Sequence, residues 1–156
     1  MPLTAADIMT RNPVSVGPRA SLAEIAALLA ERGISGVPVC AEDGTLLGMV
    51  GEGDLIKPFR ASAQVRHDWW ADALARGESL SREFMDYVTR DGRSAADIMV
   101  PHVITAAEDA SLSQIAELMT RHGVRRVPIL RGMKVVGIVS RSDLVAALAR
   151  SPGGFG

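Results

Sequence analysis

The residues able to do chemistry in this sequence are of two kinds. Hydroxyl side chains stand three positions ahead of an acid or amide at Thr4 and Asp7, Ser21 and Glu24, Ser94 and Asp97, Ser111 and Gln114, and Ser140 and Asp143. That spacing lets the two side chains satisfy orphan amides at a helix start, where the dipole also stabilises a carboxylate. The second kind is cationic. In His122-Gly123-Val124-Arg125-Arg126-Val127 the guanidinium groups suit bidentate contact with a phosphate. Bond-making chemistry has no comparable signature. The glycines of Gly48-x-x-Gly51-x-Gly53 are in the wrong order for a dinucleotide fold, and the acidic partner about 20 residues on is missing. There is no Walker loop, nucleophile elbow or HExxH sequence. His67-Asp68, His102 and His122 lack metal-ligand spacing, and Cys40 at the end of an apolar run reads as an inert buried thiol. No catalytic residue, no metal and no enzyme activity are expected.

The elements that position these residues come in two copies. Ala5-Ala6-Asp7-Ile8-Met9 recurs as Ala95-Ala96-Asp97-Ile98-Met99, and the offset of 90 holds through Pro38 and Pro128 with 14 identities in 35 pairs between positions 5 and 39. Beyond Val39 the second copy is one residue shorter, so Gly48-Met49-Val50 pairs with Gly137-Ile138-Val139, and Asp54-Leu55 with Asp143-Leu144. Each copy predicts a short capped helix, then a strand at Val14 to Val16 or Val103 to Thr105. An amphipathic helix follows, with apolar residues at Leu22, Ile25, Ala26 and Leu29 or Leu112, Ile115, Ala116 and Met119, closed near Gly33 or Gly123. A β-hairpin from Val37 or Val127 leads into a last helix. The fold class is therefore α/β (α+β): two pseudo-symmetric α-β-α-β-β-α repeats at 4–56 and 94–149, packed through their sheets because neither buries enough surface alone. Residues 57–93 form an insert, helical near Ala63 to Ala75 and Ser79 to Thr89 and carrying Trp69, Trp70, Phe84 and Tyr87; residues 150–156 read as a flexible tail.

Composition narrows the function classes. A formal charge of -1 gives no global footprint for nucleic acid or an anionic membrane. It conceals an asymmetry: residues 1–56 carry three basic and seven acidic groups, and residues 95–156 carry seven and five. A single cysteine excludes an internal disulfide framework, and apolar runs such as Ile25 to Ala30 fall far short of the roughly 18 residues of a membrane span. A cytoplasmic protein with no membrane association is expected.

Two copies of Ala-Asp-Ile-Met, then Gly-x-x-x-Val-Pro-Val/Ile, then Gly-Met/Ile-Val-x-x-x-Asp-Leu, resemble a tandem pair of cystathionine-β-synthase (CBS) domains, often called a Bateman module. The resemblance covers residues 4–56 and 94–149. It implies a regulatory module that binds adenosine-containing ligands in clefts between the repeats, above all AMP, ADP or ATP, with NAD or S-adenosylmethionine behind them. It also implies a homodimer built on helical faces, which signals to an effector protein. The final motif's Asp, with a hydroxyl residue three positions earlier, is assigned in that family to the ribose hydroxyls. Ser140 and Asp143 match this pattern; Asp54 matches, but Gly51 replaces the hydroxyl.

The adenine contacts implied for the main cleft are Thr105, Val124, Val127 and Pro128, with phosphate contacts from Arg125, Arg126 and His122. The second cleft's positions are Val14, Ser15, Val16, Ser35, Gly36, Val37, Pro38 and Asp54. Two physical arguments run beside the resemblance: a carboxylate can accept hydrogen bonds from two vicinal hydroxyls, and a helix N-terminus attracts phosphate. Against them, Ser140 and Asp143 could be a cap alone, Arg125 and Arg126 a solvated surface, and adjacent residues of an extended segment point oppositely. The alternative reading is a protein-protein adaptor in which the clefts are vestigial and the Trp-bearing insert binds a partner.

Overall fold

The computed structural model describes residues 2–56 and 92–155; the insert's expected helices, with Trp69 and Trp70, lie outside them. In chain order the elements are α1 (Ala5–Ile8), β1 (Thr10–Arg11), α2 (Leu22–Arg32), β2 (Gly36–Cys40), β3 (Leu46–Gly51), α3 (Ala95–Ile98), β4 (Ala106–Ala107), α4 (Leu112–His122), β5 (Arg126–Arg131), β6 (Lys134–Ser140) and α5 (Arg141–Arg150). Residues 52–56 are also helical, and Pro152–Phe155 form a 3-10 turn.

The residue pairs three apart do start helices. Asp7 accepts from the Thr4 N–H at 2.8 Å and the Thr4 hydroxyl at 3.1 Å, and Asp97 treats Ser94 alike at 2.7 and 3.0 Å. Ser21 and Ser111 each accept an N–H three residues on at 3.1 Å, which opens α2 and α4. Both long helices end on a left-handed glycine, Gly33 (φ 62°) and Gly123 (φ 63°), a conformation that costs a residue with a Cβ about 1–2 kcal/mol.

The chain divides into two compact units that cut across the sequence repeats. One, here the carboxy-terminal unit, comprises Met1–Ser15, Cys40–Leu46 and His102–Gly156; the amino-terminal unit comprises Val16–Val39 and Leu47–Pro101. The carboxy-terminal unit holds a four-stranded sheet in the order β1-β6-β5-β4. β5 and β6 pair antiparallel, with Arg126 opposite Ser140 and Val127 opposite Val139, while β4 runs parallel to β5. Leu112, Ile115 and Met119 of α4, Val127, Ile129 and Val139 of the sheet, Leu144 and Ala147 of α5, and Ala5 and Met9 of the first repeat form its core. At roughly 1.5–3 kcal/mol for each fully buried large aliphatic side chain, this burial is the main term holding the unit together.

The amino-terminal unit repeats the plan. Around the β2-β3 hairpin, Val16 bridges Val39 in parallel and Val100 bridges Met49 antiparallel, positions equivalent to Ala106 with Ile129 and Thr10 with Ile138. Its core is Leu22, Ile25, Leu29, Val37, Val39, Val50, Leu55 and Ala95.

Each unit thus borrows the opening segment of the other repeat. In the carboxy-terminal unit the Ala5 and Ala6 N–H groups donate to the carbonyls of Ala110 (2.9 Å) and Glu108 (3.0 Å), and β1 pairs with β6. In the amino-terminal unit Ala95 and Ala96 donate to Ala20 (2.8 Å) and Pro18 (2.9 Å), and Met49 and Val100 exchange bonds of 3.0 and 2.8 Å. The methionines closing the two segments lie over glycines. A Cβ on Gly137 would stand 2.7 Å from Met9 Cγ, and one on Gly48 would stand 2.9 Å from Met99 Cγ and 2.8 Å from the Val100 carbonyl oxygen.

Two expectations are corrected. The strand expected at Val103 to Thr105 forms instead at Ala106–Ala107, where Ile129 and Leu130 of β5 offer parallel partners, and its counterpart in the first repeat is only the Val16 bridge. The tail expected to be flexible is docked: Leu3 N–H donates to the Gly154 carbonyl at 2.9 Å, Ser113 Oγ donates to the Phe155 carbonyl, and Gly154 is buried against Leu3.

Candidate functional site

In the carboxy-terminal unit four of the nominated residues, Ser140, Asp143, Arg125 and Arg126, meet at the junction of β6 and α5. Ser140 ends β6 and caps α5: its Oγ accepts from the Asp143 N–H at 3.2 Å while Asp143 Oδ2 accepts from the Ser140 N–H at 2.8 Å. The cap uses Oδ2, so Oδ1 is the carboxylate oxygen outside it. The Ser140 hydroxyl also lies 2.9 Å from that of Ser142, a contact the Ser-x-Ser spacing could have signalled. Both Ser140 and Asp143 are half-buried.

The segment before β5 is tied to this junction by the backbone. The Arg141 N–H donates to the Arg125 carbonyl at 2.8 Å, and Arg126 is the ladder partner of Ser140. Arg125 is exposed and Arg126 half-buried, with its Nε out of solvent, as adjacent residues of an extended chain should be. Arg141 adds a further exposed cation at the first helical position, which the sequence reading passed over. Thr105 and Val124 are half-buried at the edges of β4 and β5. Val127 and Pro128 are buried, and the Val127 side chain belongs to the core. His122 is the exposed last residue of α4, and no hydrogen bond joins it to Ser140 or Asp143 among the described residues.

The second set is not gathered in one unit. Val14 and Ser15 fall in the carboxy-terminal unit, and Val16, Ser35, Gly36, Val37, Pro38 and Asp54 in the amino-terminal one. There Asp54 Oδ2 accepts from the Gly51 N–H at 2.8 Å, the half of the cap that needs no hydroxyl, and the Glu52 N–H donates to the Ser35 carbonyl at 3.0 Å. Gly36, Val37 and Pro38 are buried. A mostly apolar pocket of about 170 Å³ lies in this unit, lined by Ala26, Leu29 and Ala30 of α2 with Ile34, Glu52, Leu55 and Ile56; Ile34 alone of the Ile34 to Pro38 stretch lines it. Cys40 is buried, and that burial pushes its thiol up in pKa while a hydrogen bond with Ser15 opposes the shift. Among the described residues no group of three or more His, Cys, Asp or Glu could hold a metal ion, and no helix is long and apolar enough to cross a membrane.

The duplicated plan is that of a known family. The CBS domain pattern matches residues 5–60 and again 95–150. The chain belongs to the CBS domain family. Among relatives of this CBS pair, the Methanocaldococcus jannaschii protein MJ1404 is 29% identical over 91% of the chain, which spans only 31% of that protein's length. Hypoxic response protein 1 of Mycobacterium tuberculosis is 29% identical over 93% of the chain and 85% of its own length. The crystal structure of CBSX2, an Arabidopsis thaliana CBS-pair protein, in complex with AMP superimposes with a TM-score of 0.71 at 25% identity, covering 94% of this chain and 96% of that one.

Proposed function

We propose that this CBS pair is a regulatory sensor of adenine nucleotides, with AMP, ADP or ATP as the leading ligand candidates and NAD or S-adenosylmethionine behind them. The observation that carries the reading is the β6-α5 junction. Ser140 and Asp143 stand at the start of a ten-residue helix, the main chain of Arg125 is bonded to that start, and Arg126 is the partner of Ser140 in the ladder. In this reading Asp143, through the oxygen its cap does not use, accepts from the ribose hydroxyls. Thr105 and the main chain of Val124 and Val127 hold the base, and Arg125 or Arg126 with the helix dipole meets the phosphate. The AMP complex of CBSX2 supports the ligand class. Those members of the second set that lie in the amino-terminal unit, with Gly51 in place of a hydroxyl residue and Ser35-Gly36 in place of the arginines, form a weaker site that demands no anion.

The role is regulation in the cytoplasm rather than catalysis. Bound nucleotide shifts the population of the pair toward one arrangement, and a homodimer presents that arrangement to an effector protein. Val145 (63% exposed) and Leu148 (50% exposed), three positions apart on α5, supply an apolar strip for the dimer. A thermal-shift panel of adenosine compounds tests the core of the proposal. A nucleotide at 100 times its dissociation constant adds about 2.7 kcal/mol, which raises Tm by roughly 5–11 °C at this size. No shift with any adenosine compound at millimolar concentration overturns it.

A further inference from the structure

The opening segment of the first repeat touches both pieces of chain that carry the proposed site in the carboxy-terminal unit. On one side, the Ala5 and Ala6 N–H groups donate to the carbonyls of Ala110 and Glu108, in the turn that follows β4. On the other, Thr10 and Arg11 pair with Ile138 and Gly137, and the Asn12 N–H donates to the Val136 carbonyl at 3.3 Å, on the strand that ends at Ser140. Between these attachments Met9 is 8% exposed and covers Gly137, and Arg11 Nη2 donates to the Ala6 carbonyl at 3.1 Å, closing the segment on itself. The Glu108 carboxylate takes Arg131 Nε and Nη2 at 2.9 and 2.8 Å, which pins the loop to β5 as well.

We propose that residues 4–12 form a strap whose docking is coupled to ligand occupancy: the strap bridges residues 108–110, just after β4, and β6 at Val136 to Ile138, and the nucleotide bridges the ends of those same two pieces of chain, at Thr105 and at the β6-α5 junction, so each holds the position that the other needs. The coupling rests on the nucleotide reading above and adds a reporter to it. Asp7, Thr10 and Arg11 on the strap are exposed, so its state is legible from outside the site. The same construction recurs at Ala95 to Val100 over Gly48, which makes it a property of the repeat and not of a chain end. Two bridges acting on one pair of segments give positive linkage, and by reciprocity the strap must affect the ligand as much as the ligand affects the strap.

The test uses the full chain, with amide hydrogen exchange over residues 4–12 and calorimetric titration of AMP. AMP is expected to slow exchange in the strap. Gly137→Ala, which forces Met9 away, should speed exchange and weaken AMP binding at least about fivefold. Met9→Ala, which removes the pinned side chain without crowding, should act in the same direction and keeps the proposal open to refutation if Gly137→Ala does not fold. Gly48→Ala, which disturbs the other strap, should change AMP affinity less. AMP binding that leaves strap exchange unchanged, or variants with a loosened strap and unchanged affinity, overturn the coupling alone. A wild-type chain that takes up no AMP overturns both the nucleotide reading and the coupling.

Discussion

In the carboxy-terminal unit the last helix begins with a reciprocal cap between Ser140 and Asp143, whereas in the amino-terminal unit Gly51 and Asp54 keep only the half in which the acid accepts from the backbone. The main-chain bond beside it is the same in both, from Arg141 to Arg125 at 2.8 Å and from Glu52 to Ser35 at 3.0 Å. The side chains around it differ in charge: Arg125, Arg126 and Arg141 against Ser35, Gly36 and Glu52. The scaffold is therefore written in backbone geometry and apolar spacing, which both copies retain, while the electrostatics of the two junctions have separated on top of it.

The comparison can be broken first at the core. Ile25 and Ile115 are equivalent and both 0% exposed, so replacing either with Ala should cost about 2–5 kcal/mol, measured by denaturant unfolding, and the two costs should agree within the usual context spread. A cost confined to one unit would show that the scaffolds are not equal. Next comes the ligand. Asp143→Ala should weaken nucleotide binding by more than about 1 kcal/mol in calorimetric titration, since a hydrogen bond to a charged group is at stake, and Asp54→Ala should cost less. Equal losses would erase the ranking of the two sites.

Caps are a finer probe. Ser140→Ala should lower stability by about 1 kcal/mol, and Gly51→Ser, which restores the missing hydroxyl, should raise it by a few tenths. A gain in nucleotide affinity accompanying Gly51→Ser would sharpen the case that the hydroxyl does more than cap. The smallest effect is electrostatic. The Ser94 N–H and hydroxyl hold the exposed Asp97 carboxyl below its ordinary pKa. Its stabilisation is therefore present above the unfolded value near about pH 4 and is lost as pH falls through the lower folded value. Asp97→Asn should flatten the acid limb of a Tm-against-pH profile, with a slightly lower Tm at neutral pH and a difference from wild type that vanishes below the folded value.

What could be read from the residues was local. Hydroxyl-acid pairs gave the helix starts, i, i+3, i+4, i+7 spacing gave α2 and α4, and the Gly33 and Gly123 stops gave their ends, because each depends on neighbours within a turn or two. Partners distant in the chain were not legible. Ala5 donates to Ala110 and Leu3 to Gly154, and nothing in the motif Ala-Asp-Ile-Met says which copy it will dock on, since Gly48 and Gly137 sit in matching contexts. The tail looked flexible because Pro-Gly-Gly carries no periodic pattern, yet glycine at 154 is what fits beneath Leu3. Spacing alone marked Ser140 and Asp143 as a helix cap, and their ligand role came from the family resemblance. The backbone bond from Arg141 to Arg125, which ties the Arg125-Arg126 segment to the helix start, depends on sheet register that spacing does not encode.

The borrowed opening segments also bear on how such a chain could arise. A single repeat with this construction would carry a strap that fits a second copy and a groove that awaits the second copy's strap. It would be obliged to pair by exchange, and its assembly would fail on dilution. Joining two copies in one chain replaces that second-order encounter with a fixed effective concentration, so the exchange survives at any protein level. Once tethered, the copies no longer have to match at every equivalent position: one carries Gly51, Ser35 and Gly36 where the other carries Ser140, Arg125 and Arg126.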